Sequence, residues 1–159
     1  YYVNQTPRQI TPIPLKHLPV VAVYSGKKAG TVSYVQQVRA LYDTLPDIIA
    51  PIINTMLQIV DDGHTALQHQ DWTAFGQLMN IQHGLLHALG VDTLTLSEVV
   101  FVARSAGAKG AKLSGAGGGD CAVVLIDEDR RSYLAEQLGT HNFSMLPYDL
   151  HAAGVRLET

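Results

Sequence analysis

Ten consecutive residues, Lys112-Leu113-Ser114-Gly115-Ala116-Gly117-Gly118-Gly119-Asp120-Cys121, form the segment of this chain most suited to chemistry. Glycine loses more backbone entropy on folding than any other residue, so such a run needs an offsetting reason. Close approach by another backbone or by phosphate supplies one. Glycines let successive amides face a single concavity, which can hold an anion or brace a second loop that holds it. The bland alternative is a plain turn between two strands. Ser114, beside the glycines, could donate to a phosphate or a substrate, or bond locally at a strand end. The run is not a Walker loop, because Gly-Lys-Ser/Thr does not follow the last glycine, nor a dinucleotide fingerprint, because the glycines lead into a strand.

A second candidate is the loop Ser25-Gly26-Lys27-Lys28-Ala29-Gly30-Thr31. The ammonium groups of Lys27 and Lys28 could attract a phosphate or carboxylate, and the Thr31 hydroxyl could orient a substrate. Against this stands a solvated loop with Thr31 capping a helix. His83 and His87, on adjacent turns of one helix face, invite a metal. No carboxylate or third His at a supporting spacing backs them, so packing with one satisfied nitrogen is the expectation, and no metal ligand is assigned. Trp72, Tyr34 and Phe75 read as core or interface residues, since no basic stripe accompanies them.

The elements that must position these residues follow from periodicity. Thr6 to Pro19 carries four prolines and reads as a connector or edge strand. Val20 to Tyr24 is a short β-branched run, the pattern of a buried strand. Val32, Val35, Val38 and Leu41 recur at helical spacing up to Leu45-Pro46, where one helix closes and another begins. The stripe Ile48 to Leu67 forms that second helix, with Pro51 in its first turns. Asp71 caps a third, stopped by Gly90. Thr95 and Glu98 have capping-box spacing for a fourth helix running to Gly107. Strands are expected over Ala111 to Ser114, Cys121 to Ile126, Phe143 to Leu146 and Val155 to Glu158, with Asp127 capping a helix that ends near Gly139. The outcome is an α+β fold, a small mostly antiparallel sheet covered by a layer of helices.

Length and composition bound the rest. The 159 residues suffice for one core, and the formal charge of -3 gives no electrostatic reason to expect nucleic acid or an anionic membrane. A single cysteine, Cys121, excludes an internal disulfide and favours a reducing, cytoplasmic compartment. No apolar run reaches bilayer-spanning length, and no targeting signal opens the chain. It starts without Met on the strand-like Tyr1-Tyr2-Val3, as a piece of a longer protein or a cleaved product would.

Lys-Leu-Ser-Gly-Ala-Gly-Gly-Gly-x-Cys followed by an apolar strand resembles the third motif of the GHMP small-molecule kinases. Val38-Arg39-Ala40-Leu41 through Leu45-Pro46-Asp47-Ile48-Ile49-Ala50-Pro51, and Gln82-His83-Gly84-Leu85-Leu86-His87-Ala88-Leu89-Gly90-Val91, resemble the helical layer of mevalonate kinases. Gly154-Val155-Arg156-Leu157 resembles the closing strand. The resemblance implies a ferredoxin-like C-terminal domain over 20–159, with 1–19 as connector or edge strand from an N-terminal GHMP kinase domain. It places Ser114, Gly115, Ala116, Gly117, Gly118, Gly119 and Asp120 beside nucleotide phosphates and Lys27, Lys28 and Thr31 near the substrate. ATP and magnesium are implied by the family alone.

Three other family motifs are missing from these residues: the Pro-x-Gly-Leu-Gly-Ser-Ser-Ala phosphate loop, the N-terminal substrate Lys, and the Ser-Gly-x-Asp segment with the catalytic Asp. In relatives that Asp shortly precedes a strand like Tyr1-Tyr2-Val3. No catalytic residue is therefore expected in this chain, which alone should be inactive. Asp120 departs from the mevalonate kinase pattern, where a fourth glycine is usual, and matches many phosphomevalonate kinases. An Asp beside phosphates repels them unless it faces magnesium, a basic side chain or an amide. Phosphomevalonate kinase, another GHMP kinase, and a non-catalytic ferredoxin-like module binding a ligand or a partner chain stay open as alternatives. So does a homodimer through an exposed face.

Overall fold

The computed structural model describes residues 2–3, 7, 9–15, 17–28 and 30–147; the strand expected over 155–158 lies outside them. Strands β1 (Tyr2–Val3) and β2 (Gln9–Ile10) pair only with each other, as a separate antiparallel ladder. Four more strands, β3 (Val20–Tyr24), β4 (Gly110–Leu113), β5 (Cys121–Leu125) and β6 (Ser144–Met145), make one antiparallel sheet in the order β4-β5-β3-β6. Helices α4 (Leu94–Ser105) and α5 (Arg131–Thr140) pack on it. The succession β3-α4-β4-β5-α5-β6 in that order is ferredoxin-like. Helices α1 (Thr31–Thr44), α2 (Pro46–Gln68) and α3 (Trp72–Ala88) are inserted between β3 and α4.

Period-two alternation divides the sheet into two faces. Val21 and Val23, Ala111 and Leu113, and Ala122 and Val124 turn inward against Leu96, Val99, Val100 and Ala103 of α4 and Leu134 and Leu138 of α5, and all are buried. Residues between them, including Ala22, Tyr24, Lys112, Cys121 and Val123, are half-buried or exposed. The Lys112 amine donates to the Leu113 carbonyl at 2.8 Å, and burial lowers its pKa.

β4 is an edge strand, and α3 covers its unpaired backbone. Three residues at helical spacing do this. Gly76 lies against Lys109 and Gly110 so closely that a Cβ there would sit 2.5 Å from the Lys109 carbonyl oxygen. Asn80 donates to the Lys109 carbonyl at 3.1 Å and accepts from the Ala111 amide at 3.0 Å. His83 accepts the Leu113 amide through Nδ1 at 3.4 Å. At the same edge Arg104 of α4 donates to the Ala111 carbonyl at 2.9 Å.

Helix ends mostly follow the sequence signals, with two corrections. Asp71 caps α3 through the Ala74 amide at 2.9 Å, and Gly90 stops it with φ +73°. The cap of α4 is Thr93, whose hydroxyl accepts from Leu96, instead of Thr95; Glu98 reaches across to His141 at 3.0 Å. The capping-box spacing was a coincidence of type, because with Thr93 as the N-cap Thr95 already lies inside the helix and Glu98 is two residues past the N3 position. Asp127 precedes a 3-10 turn (Glu128–Arg130) without capping it through its side chain, and pairs with Lys109.

Candidate functional site

The glycine run closes the β4–β5 hairpin, held at its base by the Ser114 amide on the Cys121 carbonyl at 2.9 Å. Gly115, Gly117 and Gly118 take φ values of +76°, +89° and +79°, which L side chains rarely adopt. Their surroundings differ. A Cβ on Gly117 would land on the Val91 carbonyl oxygen, and one on Gly118 on the Tyr34 ring of α1. Over Gly115 a Cβ would meet nothing within 4 Å. Close approach of protein therefore accounts for Gly117 and Gly118, while the space over Gly115 is open.

The amides sort in the same way. Gly118 donates to Val91 at 2.7 Å, and Asp120 donates to the Lys27 carbonyl at 2.7 Å. Among the described residues, the amides of Gly115, Ala116 and Gly119 donate to no protein atom. The Ser114 hydroxyl likewise makes no hydrogen bond among them, so it is not the locally bonded strand-end group.

The β3–α1 loop is fastened directly to this hairpin. Ser25 donates its amide to the Asp120 carbonyl at 2.8 Å, and its hydroxyl to the Lys27 carbonyl at 3.2 Å. Thus Lys27 and Lys28, both exposed, sit beside the glycine loop. Thr31 is the exposed first residue of α1 and not its cap; Gly30 is the N-cap residue, and no side chain caps it. Tyr34 and Val38 of α1 lie against the core, whereas Val32 and Val35 on the same helix are exposed.

Asp120 has φ +61°, a left-handed conformation that Asp tolerates better than most residues and that glycine adopts freely. Its backbone, through both the amide and the carbonyl, ties the two loops together. Asp120→Gly should therefore change stability by less than about 1 kcal/mol, the lost αL strain and the added unfolded-state entropy opposing each other. Thermal melts check this, and a loss of several degrees would show that the carboxylate itself holds the loops. Burial, and secondarily Asp120, raises the pKa of the neighbouring Cys121 thiol.

The sequence reading missed Asp92. Its carboxylate, 1% exposed, lies 3.1 Å from Nδ1 of His87 and 3.5 Å from Nε2 of His83, and accepts from the Ser97 hydroxyl. The left-handed stop at Gly90 folds the chain back so that a residue five positions beyond His87 lies under the helix. Among the described residues no group of three His, Cys, Asp or Glu is arranged to hold a metal. Burial lowers the pKa of His83; Asp92 opposes this, while Arg104, His87 and Lys112 reinforce it.

A depressed imidazole leaves the native state binding fewer protons than the unfolded state below the ordinary value of about 6.5. Its contribution to stability is fully present above that pH and is lost as pH falls through the folded-state value. His83→Gln should flatten the acid-side decline of stability measured by urea unfolding between about pH 6.5 and 4.5. An unchanged slope would remove His83 from the acid response.

Residues 64–143 match the family model for the C-terminal domain of GHMP kinases. Mevalonate kinase of Pyrococcus horikoshii is 44% identical over 125 residues, covering 76% of this chain and 37% of that protein. Mevalonate kinase of Thermococcus gammatolerans is 36% identical, covering 99% of this chain and 48% of that protein. The crystal structure of L. major mevalonate kinase in complex with R-mevalonate superposes with a TM-score of 0.81 at 31% identity, over 87% of this chain and 44% of that one. An α+β domain of ferredoxin type with a glycine hairpin at its edge is the class these features define. The chain belongs to the GHMP kinase family through its C-terminal domain, and it spans less than half the length of these mevalonate kinase relatives.

Proposed function

We propose that this chain is the C-terminal part of an ATP-dependent kinase that phosphorylates mevalonate, and that residues 20–159 form a domain whose cleft is completed by an N-terminal GHMP kinase domain, with 1–19 leading from it. One observation carries the reading. The glycine hairpin and the Lys27–Lys28 loop are hydrogen-bonded into a single unit, with unoccupied amides and exposed ammonium groups on the same edge. That edge fits polyphosphate. ATP would supply the transferable phosphoryl group; the amides of Gly115 and Ala116, with Ser114, would hold its oxygens, and Lys27, Lys28 and Thr31 would orient the alcohol. Magnesium would accompany ATP, held largely by its phosphates; among the described residues no group of three His, Cys, Asp or Glu is arranged to hold a metal by itself.

The relatives named mevalonate kinase favour that alcohol, and the backbone of Asp120 explains its place without appeal to a phosphorylated substrate. The single cysteine favours the cytoplasm, and no described helix is long and apolar enough to cross a membrane.

The test compares the chain alone with the chain joined to the segment carrying the phosphate loop and catalytic Asp. The chain alone should show no turnover of mevalonate with magnesium-ATP, since one wall cannot replace a closed cleft. The joined protein should turn over, and Lys27→Ala and Lys28→Ala should raise KM for the alcohol more than KM for ATP. Turnover of phosphomevalonate instead would reassign the substrate. No turnover of either would leave a non-catalytic module.

A further inference from the structure

Two backbone amides of the glycine hairpin and its entry strand are held from the α3 side, and a single polar cluster stands behind both. At the entry to the hairpin, the Leu113 amide donates to His83 Nδ1 at 3.4 Å. At its apex, the Gly118 amide donates to the Val91 carbonyl at 2.7 Å, the same carbonyl that excludes a side chain at Gly117. Between them lies Asp92. It follows Val91 directly, and its carboxylate is enclosed by groups from two helices and their connection. One oxygen accepts the Thr93 amide at 2.9 Å; the other accepts from Ser97 and faces His87 Nδ1 at 3.1 Å and His83 Nε2 at 3.5 Å.

The geometry fixes the proton on His83. Nδ1 accepts from a backbone amide, so Nε2 carries the hydrogen, on the side of the ring that faces the Asp92 carboxylate at 3.5 Å. All four neighbours of the carboxylate are then donors, and the site demands a group that only accepts. A continuous path results, from the Leu113 amide through His83 to Asp92, and from Asp92 along the backbone to the Val91 carbonyl and Gly118. We infer that Asp92 is a positioning residue for the glycine hairpin: held by His83, His87, Ser97 and Thr93, it fixes the Val91 carbonyl against which Gly117 and Gly118 fold. The consequence for catalysis rests on the phosphate-facing reading of that hairpin; the positional role does not.

Asp92→Asn is nearly isosteric, yet its amide hydrogens must face either the Thr93 amide or the side of Ser97 and the two imidazoles, so that one donor loses its acceptor in either orientation. Amide hydrogen exchange on the 159-residue chain is the readout. Gly118 and Leu113 should exchange at least about tenfold faster, while the β3–β5 ladder keeps its protection. Ser97→Ala removes one donor and should shift Gly118 in the same direction by a smaller factor; it carries the test if Asp92→Asn does not fold. Unchanged exchange at Gly118 overturns the inference. So does uniform acceleration across the sheet, which would make Asp92 a stabiliser of the fold in general. In the joined enzyme, Asp92→Asn should raise KM for ATP at least about fivefold, as expected when phosphate-binding amides lose their place. Faster exchange at Gly118 with unaltered ATP kinetics would uphold the positional role and sink the phosphate-facing reading instead.

Discussion

Gly117→Val and Gly118→Val should each destabilise the chain by about 2–6 kcal/mol, taking about 1–3 for a strained positive φ and a similar amount for overpacking. At Gly117 the new side chain meets a backbone carbonyl that the α3–α4 connection holds in place; at Gly118 it meets the Tyr34 ring. Neither obstacle is the free end of a flexible chain, so the hairpin must move. Ser114→Ala, by contrast, removes a hydroxyl with no protein partner among the described residues and should leave stability within about 0.5 kcal/mol, as for surface substitutions generally. In the joined enzyme the glycine variants that still fold should lose phosphate handling to a greater degree than Ser114→Ala. Urea unfolding and full kinetic constants measure both. A Gly117→Val protein with normal stability and kinetics would reduce the hairpin to an ordinary turn.

The second large effect is expected far from any ligand, at Gly76. Valine has the better intrinsic helix propensity by a few tenths of a kcal/mol, so a helix considered alone would gain. The fold should nevertheless lose at least about 3 kcal/mol, because overpacking costs about 1–3 and strands left with unsatisfied backbone groups lose a similar amount. The Cβ would sit 2.5 Å from the Lys109 carbonyl oxygen, and pushing α3 outward breaks the bonds of Asn80 and His83 to β4. The denaturation midpoint decides the matter. A midpoint equal to that of the parent protein would mean that α3 does not seal the edge of β4 as tightly as the contact indicates.

How far the sequence disclosed these features depended on whether their cause was local. The β3 run, the proline break between α1 and α2, the Asp71 cap and the Gly90 stop each rest on residues within one turn of one another, and each lies where its local signal put it. The glycine hairpin was legible as an anomaly of composition, but the division of labour among its glycines was not. Only the approach of Val91 and Tyr34, dozens of residues away, separates Gly117 and Gly118 from Gly115. Thr95 and Glu98 show the opposite failure, a plausible local pattern two residues out of register with the true cap, Thr93. Asp92 gave no signal beyond its type, since its donors come from positions nine and five residues before it and five after it, across a helix end.

The connectivity of the sheet also governs when the site can exist as the polypeptide is made. β3 lies in the middle of the sheet, yet Val20 pairs with Leu125 and Tyr24 with Ser144, so its partners emerge from the ribosome about a hundred residues later or more. The three inserted helices, whose contacts are nearer in sequence, can form while β3 waits unpaired. The Lys27–Lys28 loop gains its anchor only when Asp120 arrives, through bonds to Ser25 and Lys27. Chains released before residue 120 thus carry a helical layer and both lysines but no glycine hairpin against which to arrange them, and a bare central strand that other chains can pair with.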